Sequence, residues 1–200
     1  MADLLPLFLN LRGRRVVLVG AGPVAASKLT QLTTAGADVV VVAPEVHPSI
    51  VSSGVTVVRR EFTPTDLDGA WLVVAAAPPA VNREVGQAAE ARHLMVNAVD
   101  DPPNATAYLG GVVRRDGVTI AISTSGAAPA IAGLLREAID AVLPHDLGDW
   151  MTVARHERTA WKQAGVPMEE RRPLLLQALN RLYAGRQAAE PAPVGPEAAR

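Results

Sequence analysis

Cysteine is absent from all 200 residues. That single absence excludes disulfides, thiolate nucleophiles and cysteinyl metal clusters, and it accords with a cytoplasmic protein without requiring one. Charge of one sign is also lacking: 19 Lys and Arg against 20 Asp and Glu leave a formal net charge of -1. No global field therefore draws the chain onto nucleic acid or an anionic membrane surface, and neither is expected as a partner. No apolar stretch approaches the roughly 18 to 20 uninterrupted residues that a membrane span needs. The opening MADLLPLFLNLRGRR places its acid before the apolar run and its bases after it, the reverse of a secretory signal, so it reads as mature soluble protein. His47, His93, His145 and His156 are scattered with no i,i+4 pair, and no metal site is expected from them. There is no internal repeat.

What is present alternates between two periods. Arg15–Val19 is a short β-branched run ending at Gly20, and helix-forming residues with apolar spacing follow from Val24 to about Ala35. Asp38–Val42 comes after the Gly36 stop, and its unbroken valines suit a strand covered on both faces, as in a parallel sheet. Further strands read at Val55–Arg59, Trp71–Ala75 and Leu94–Asn97, with a helix from about Ala80 to Arg92 between the last two. The first hundred residues therefore predict a Rossmann-type, doubly wound parallel α/β sheet.

The texture changes after Asp101-Pro-Pro-Asn104. Residues 110–117 read as a strand and hairpin turn leading into a strand over Val118–Ser123, then a helix from about Pro129 to Val142. Polar helical sequence fills His145 to Gly185 with a break near Gly165-Val-Pro167, and Trp150 and Trp161 share one of its helical faces as packing residues. The tail after Arg186 is rich in Ala, Pro and Glu and is expected to be disordered.

Gly20-Ala-Gly22-Pro-Val-Ala25 fits GxGxxA between a strand and a helix. The first glycine allows the tight turn, the second lets backbone approach a pyrophosphate, and small Ala25 lets helix and strand pack; the helix N-terminus supplies amides and positive dipole. The sequence after the second strand reads Val42-Ala-Pro-Glu45, with no arginine adjoining. Glu45 is either the acid that binds an adenosine ribose, which favours NAD over NADP, or a solvated surface residue. Asn97 to Asp101, taken alone, reads as a loop capping structure through Asx turns.

Five pieces in order carry a resemblance: Leu4-Leu-Pro-Leu-Phe8, the turn Gly20–Ala25 with Lys28, Val42-Ala-Pro-Glu45, Val96-Asn-Ala-Val-Asp100, and Ile122-Ser-Thr-Ser-Gly-Ala-Ala-Pro129 with Leu134-Leu-Arg-Glu137. Over about residues 3–185 the chain resembles the precorrin-2 dehydrogenase/sirohydrochlorin ferrochelatase family, the N-terminal module of sirohaem synthases. The resemblance implies an NAD-binding Rossmann domain at 1–109, a strand-and-helix dimerisation segment at 110–144 and a small helical domain at 145–187, leaving 188–200 as the tail. It implies a cytoplasmic homodimer that oxidises precorrin-2 to sirohydrochlorin with NAD, with ferrous ion as substrate where the chelatase step also operates. Asp100 takes the catalytic position, with Asp101 its neighbouring alternative. Gly22, Pro23, Val24, Pro44 and Glu45 take the nucleotide contacts.

Thr124, flanked by Ser123 and Ser125, falls where the family places a serine beside the substrate pocket. Arg114 and Arg115 are candidates for the tetrapyrrole carboxylates, or else members of an exposed hairpin turn; Arg12, Arg14 and Arg15 read as a solvated loop. The chain departs from the family at Ala77-Pro78-Pro79, where Thr and acids are common, and at Tyr108-Leu-Gly-Gly111, where Phe and Pro are usual. The resemblance extends to no fused methyltransferase domain, so precorrin-2 is expected from another protein. Two other readings compete: a non-catalytic NAD-sensing dimer, although no nucleic-acid recognition helix is visible, and a small-metabolite reductase, although Tyr108 and Tyr183 sit in no recognised proton-donor arrangement.

Overall fold

The computed structural model describes residues 4–189. The expected tail lies, from residue 190 on, outside them. Five parallel strands form the main sheet: β1 (Arg15–Val19), β2 (Asp38–Val42), β3 (Thr56–Val58), β4 (Leu72–Ala75) and β5 (Met95–Ala98), in the order β3-β2-β1-β4-β5. In-register pairs such as Val17↔Val40 and Val17↔Val73 place β1 at the centre. The order reverses between β1 and β4, which makes the gap at their carboxyl ends the switch point where open α/β sheets gather ligands.

The valine runs are explained by alternation. Val16, Leu18, Val39, Val41, Leu72 and Val74 pack on one face with Ala25, Leu29 and Leu32 of helix α1 (Pro23–Thr34). Val17, Val19, Val40, Val42, Val73 and Ala75 pack on the other with Val85 and Ala89 of helix α3 (Pro79–Glu90). Each fully buried Val or Leu contributes about 1.5–3 kcal/mol relative to exposure, so both sheet faces are committed to the core. Helix α1, the single turn α2 (Pro48–Val51), α3 and α4 (Pro129–Val142) all open on proline, whose fixed φ and missing N–H suit the first helical position.

The expected elements are present with ends shifted by a residue or two; α2 and the short 3₁₀ turns at Pro64–Leu67 and Pro102–Asn104 were not expected from periodicity. Arg15 is not in a solvated loop but opens β1, its Nη2 donating to the Asp66 carbonyl at 3.3 Å. Arg14, by contrast, stacks 3.9 Å over the Trp71 ring, half of which stays exposed.

The chain divides into two compact units. The first holds residues up to 111 together with 122–133, and so includes the whole main sheet. Within it Gly110 passes so close to the Ile122 carbonyl that a Cβ would lie 1.9 Å from the oxygen, which is the physical reason for glycine at this departure from the family pattern. The second unit holds 112–121 and the residues from 134 on. Strands β6 (Gly111–Arg115) and β7 (Val118–Ile122) pair through a two-residue turn in which Asp116 and Gly117 both have positive φ, the geometry that matches strand twist. Helices α5 (Leu147–Gln163) and α6 (Met168–Ala189) pack on each other, with the Trp150 ring edge-on to Tyr183. Among the described residues no helix is long and apolar enough to cross a membrane.

Candidate active site

The carboxyl rim begins with the turn after β1, whose three small residues have distinct physical tasks. Gly20 has φ +98°, and a Cβ there would meet the Ala76 carbonyl oxygen at 2.2 Å, so only glycine lets β1 turn beside the end of β4. Gly22 is different: its backbone is extended and a Cβ would meet nothing within 4 Å. The room beyond it is what a pyrophosphate needs. Ala25 is fully buried against the sheet. Gly22 is the N-cap of α1 and makes no side-chain cap hydrogen bond, leaving the first-turn amides available to an anion. Pro23 and Val24 follow on the exposed side.

Two backbone hydrogen bonds hold the turn against the end of β2. Gly20 N–H donates to the Val42 carbonyl and His47 N–H to the Ala21 carbonyl, each at 2.9 Å. The loop that carries exposed Pro44 and Glu45 is thereby fixed beside the turn. His47 is itself the cap of α2, its Nδ1 accepting from Ser49 N–H at 3.3 Å. On the other side of the switch point, Ala76 N–H donates to Val19 at 2.8 Å and Ala77 N–H to Oδ1 of buried Asn82 at 3.0 Å. Asn82 and the two prolines after Ala77 define this loop where the family pattern has hydroxyl and acid.

Asp100 and Asp101 follow β5 and behave differently. The Asp101 carboxylate accepts twice from Asn104 Nδ2, at 3.0 and 2.9 Å, and so ties down the 3₁₀ turn. Asp100 is exposed, has φ +55°, and its carboxylate accepts no hydrogen bond from the described residues. A left-handed aspartate is uncommon and costs conformational energy, a feature that concentrates at functional positions. Of the two neighbouring acids, Asp100 is the one with a carboxylate left over.

Hydrogen bonds tie α1, β5 and residues 106–109 together. Asn97, only 6% exposed, donates from Nδ2 to the Ala107 carbonyl at 2.9 Å, while its Oδ1 is buried without a partner. Thr106 and Ala107 amides both bond to Val96, and Thr106 Oγ1 accepts from Val96 N–H, so residues 106–107 are latched to β5. Lys28, half buried on α1, donates from Nζ to Leu109 at 3.4 Å. Burial draws its pKa below the ordinary lysine value, and the negative charge of Asp100 pulls it part of the way back.

The segment 123–126 closes on the residues after Asp100: a Cβ on Gly126 would lie 3.5 Å from both Pro102 and Tyr108. Thr124 Oγ1 accepts from Ala128 N–H at 3.3 Å and Ser123 Oγ from Ser125 N–H at 3.1 Å, with Ser125 at φ +54°. The turn expected near the substrate pocket is therefore brought to the Asp100 loop. Arg114 and Arg115 lie in the second compact unit. Arg115 spends its guanidinium on the end of α4, donating to Leu143 at 3.0 Å and to the Asp140 carbonyl and carboxylate at 2.9 and 2.7 Å; Arg114 is exposed. Among the described residues no group of three His, Asp or Glu side chains converges as an ion site. Sequence reasoning gave no task to Lys28 or Asn82 and read Asn97 as part of an Asx-turn loop; Asn97 instead lies buried in β5, and an asparagine inside an otherwise apolar strand is a signal it could have used.

The family model described as "Putative NAD(P)-binding" matches residues 7–111, and that described as "Sirohaem biosynthesis protein central" matches 115–141. The chain is 36% identical over 191 residues to the siroheme synthase of Zymomonas mobilis, covering 93% of this chain and 41% of that one. With siroheme synthase 1 of Yersinia enterocolitica it is 41% identical over 175 residues, covering 85% and 37%. The chain thus spans about two fifths of the length of these relatives. The solved structure of SirC, a precorrin-2 dehydrogenase, shares the fold with a TM-score of 0.67 at 23% identity, covering 87% of this chain and 88% of that one.

Proposed function

Because the chain belongs to the sirohaem-biosynthesis family of NAD(P)-binding proteins, we propose that it oxidises precorrin-2 to sirohydrochlorin with NAD as hydride acceptor. The observation that carries this reading is the pairing, at one rim of one parallel sheet, of a glycine turn with open room beyond Gly22 and a carboxylate at Asp100 that no neighbour occupies. The reaction would remove two electrons, a hydride and a proton leaving adjacent positions of the tetrapyrrole as a double bond forms between them. Bound NAD supplies the hydride acceptor and nothing else.

The chain's own residues do the rest. Gly20 shapes the turn, and the amides of Val24 and Ala25, set in place by Pro23, hold the pyrophosphate at the positive end of α1. Pro44 and Glu45 meet the adenosine ribose; a carboxylate there accepts from a 2′-hydroxyl and repels a 2′-phosphate, which selects NAD over NADP. Asp100 receives the proton at its carboxylate, and a positioned base of this kind contributes about 10²–10⁴-fold. Ser123 and Thr124 line the substrate pocket. In a second step the same pocket admits ferrous ion as substrate, Asp100 taking up the pyrrole protons that the metal displaces. The reading extends to a cytoplasmic homodimer, with 110–144 as its dimerisation segment between a nucleotide domain at 1–109 and a helical domain at 145–187.

The test is anaerobic. Purified protein and Asp100→Ala are given freshly made precorrin-2 and NAD, and NADH and tetrapyrrole absorbance are followed before and after ferrous ion is added. NADH formed by wild type and not by the variant supports the reading. NAD binding without any turnover by wild type overturns it and leaves a non-catalytic NAD-binding dimer.

A further inference from the structure

The phenol of Tyr108 stands at the rim without a partner. On either side of it, Ala107 and Leu109 pack against the core on the α1 face of the sheet. The stretch is also latched down: Thr106 and Ala107 N–H donate to the Val96 carbonyl, Asn97 Nδ2 to the Ala107 carbonyl and Lys28 Nζ to the Leu109 carbonyl. With both neighbours turned inward and held, Tyr108 is turned the other way. A Cβ on Gly126 would lie 3.5 Å from Tyr108 Cε1 and 3.5 Å from Pro102 Cγ, so the ring, the proline two positions after Asp100 and the turn 123–126 meet at one point. Cε1 is bonded to the carbon that bears the hydroxyl, which places the hydroxyl at that junction as well.

The residue is partly buried, and among the described residues its hydroxyl makes no hydrogen bond. Tyrosines that bury their rings ordinarily answer the O–H, because a donor left unpaired offsets what the ring gains by burial. The Pro102 carbon beside the ring offers no acceptor. The group that answers a phenol best at such a place is an ionised carboxylate, which only accepts and whose charge shortens and strengthens the bond. The tetrapyrrole proposed as substrate carries carboxylates around its edge.

We infer that Tyr108 is a substrate-binding residue, its hydroxyl donating to a peripheral carboxylate of the tetrapyrrole and seating the macrocycle against the turn 123–126 beside the Asp100 loop. This rests on the proposed dehydrogenase reading. Where the family pattern usually has a phenylalanine ring, this chain adds the hydroxyl, so the contact belongs to this chain's own sequence.

The experiment compares wild type with Tyr108→Phe, which keeps the ring and removes only the hydroxyl. Sirohydrochlorin binding is followed by its absorbance and NAD binding by calorimetry. Tyr108→Phe is expected to melt with wild type, to bind NAD with unchanged Kd, and to bind sirohydrochlorin about 10-fold more weakly, the lower end of what a hydrogen bond to a charged group contributes. In turnover the same factor is expected in KM for precorrin-2, with kcat within twofold of wild type. With the fully methylated ester of sirohydrochlorin, which has no carboxylate, the two proteins are expected to bind alike. Equal sirohydrochlorin affinity in wild type and Tyr108→Phe overturns the inference and leaves the dehydrogenase reading standing, as does a loss that persists with the ester or one confined to kcat. Wild type that neither binds sirohydrochlorin nor oxidises precorrin-2 removes that reading and the inference together.

Discussion

Replacing each of the two turn glycines by alanine separates folding from nucleotide binding. At Gly20 a Cβ would sit 2.2 Å from a backbone oxygen of Ala76, in a residue with φ +98°. The left-handed conformation costs an alanine about 1–2 kcal/mol, and forcing backbone apart at the switch point adds about 1–3 kcal/mol more. For a protein of this size each kcal/mol lowers Tm by about 2–4 °C, so Gly20→Ala is expected to melt about 4–20 °C below wild type. Gly22→Ala places its methyl group in open space on an ordinary extended backbone, and the weaker N-cap costs about 0.5–1 kcal/mol. Its Tm is expected within about 4 °C of wild type. The methyl group nevertheless occupies the room beyond the turn; losing one charge-assisted amide bond to a phosphate costs about 1.5–3 kcal/mol, or roughly 10- to 150-fold in Kd for NAD. Thermal melts and calorimetric NAD titrations read both quantities. Wild-type affinity in Gly22→Ala would refute the assignment of that space to the pyrophosphate, and a wild-type melt in Gly20→Ala would refute the clash.

Asp101→Ala should lose the tie to Asn104, about 1 kcal/mol of stability by thermal melt, while keeping precorrin-2 turnover; Asp100→Ala should show the opposite pattern. Glu45→Ala is expected to weaken NAD binding about tenfold while narrowing its preference over NADP, measured by parallel titrations of both nucleotides. Asp66 is held below the ordinary carboxylate pKa by its paired hydrogen bonds with Arg60, helped by Thr63. A depressed folded-state value means that its stabilisation is complete above the unfolded value of about 4 and is lost as pH falls through the folded one. Urea unfolding of wild type and Asp66→Asn should therefore differ at neutral pH and converge in acid; a gap that persists in acid would exclude the ion pair as its source.

Strands β1, β2 and β4 are legible in the sequence because each carries β-branched residues on both faces, and both faces are buried. Val39 to Val42 admit no other reading once Gly36 ends the helix before them. The hairpin at Asp116-Gly117 is legible for a local reason as well, since that dipeptide favours the left-handed pair of φ values the turn requires. The site is legible only in part. The glycine turn has a local pattern, though the pattern does not say which glycine relieves a clash and which leaves a space. Asp100 lies in a loop with no period, and only resemblance singled it out; its distinction from Asp101 depends on where Asn104 points. Lys28 could not be read, because its partner carbonyl at Leu109 lies 81 positions away and the two meet through the folded sheet. Arg115 misleads in the other direction, a basic residue beside a turn whose donors cap α4.

A sheet with core on both sides has spent its surfaces before any ligand arrives. What remains for chemistry is one-dimensional, a row of strand ends where the chain is already leaving regular structure. New specificity in such a molecule comes most readily from exchanging the few residues after β1, β2, β4 and β5, because a polar group placed at the buried inner positions of these strands faces apolar core. Asn97 marks that frontier, the last position on β5 but one, where an unanswered oxygen is still tolerated. One residue toward the strand's start, at fully apolar Val96, the same oxygen would count against folding itself.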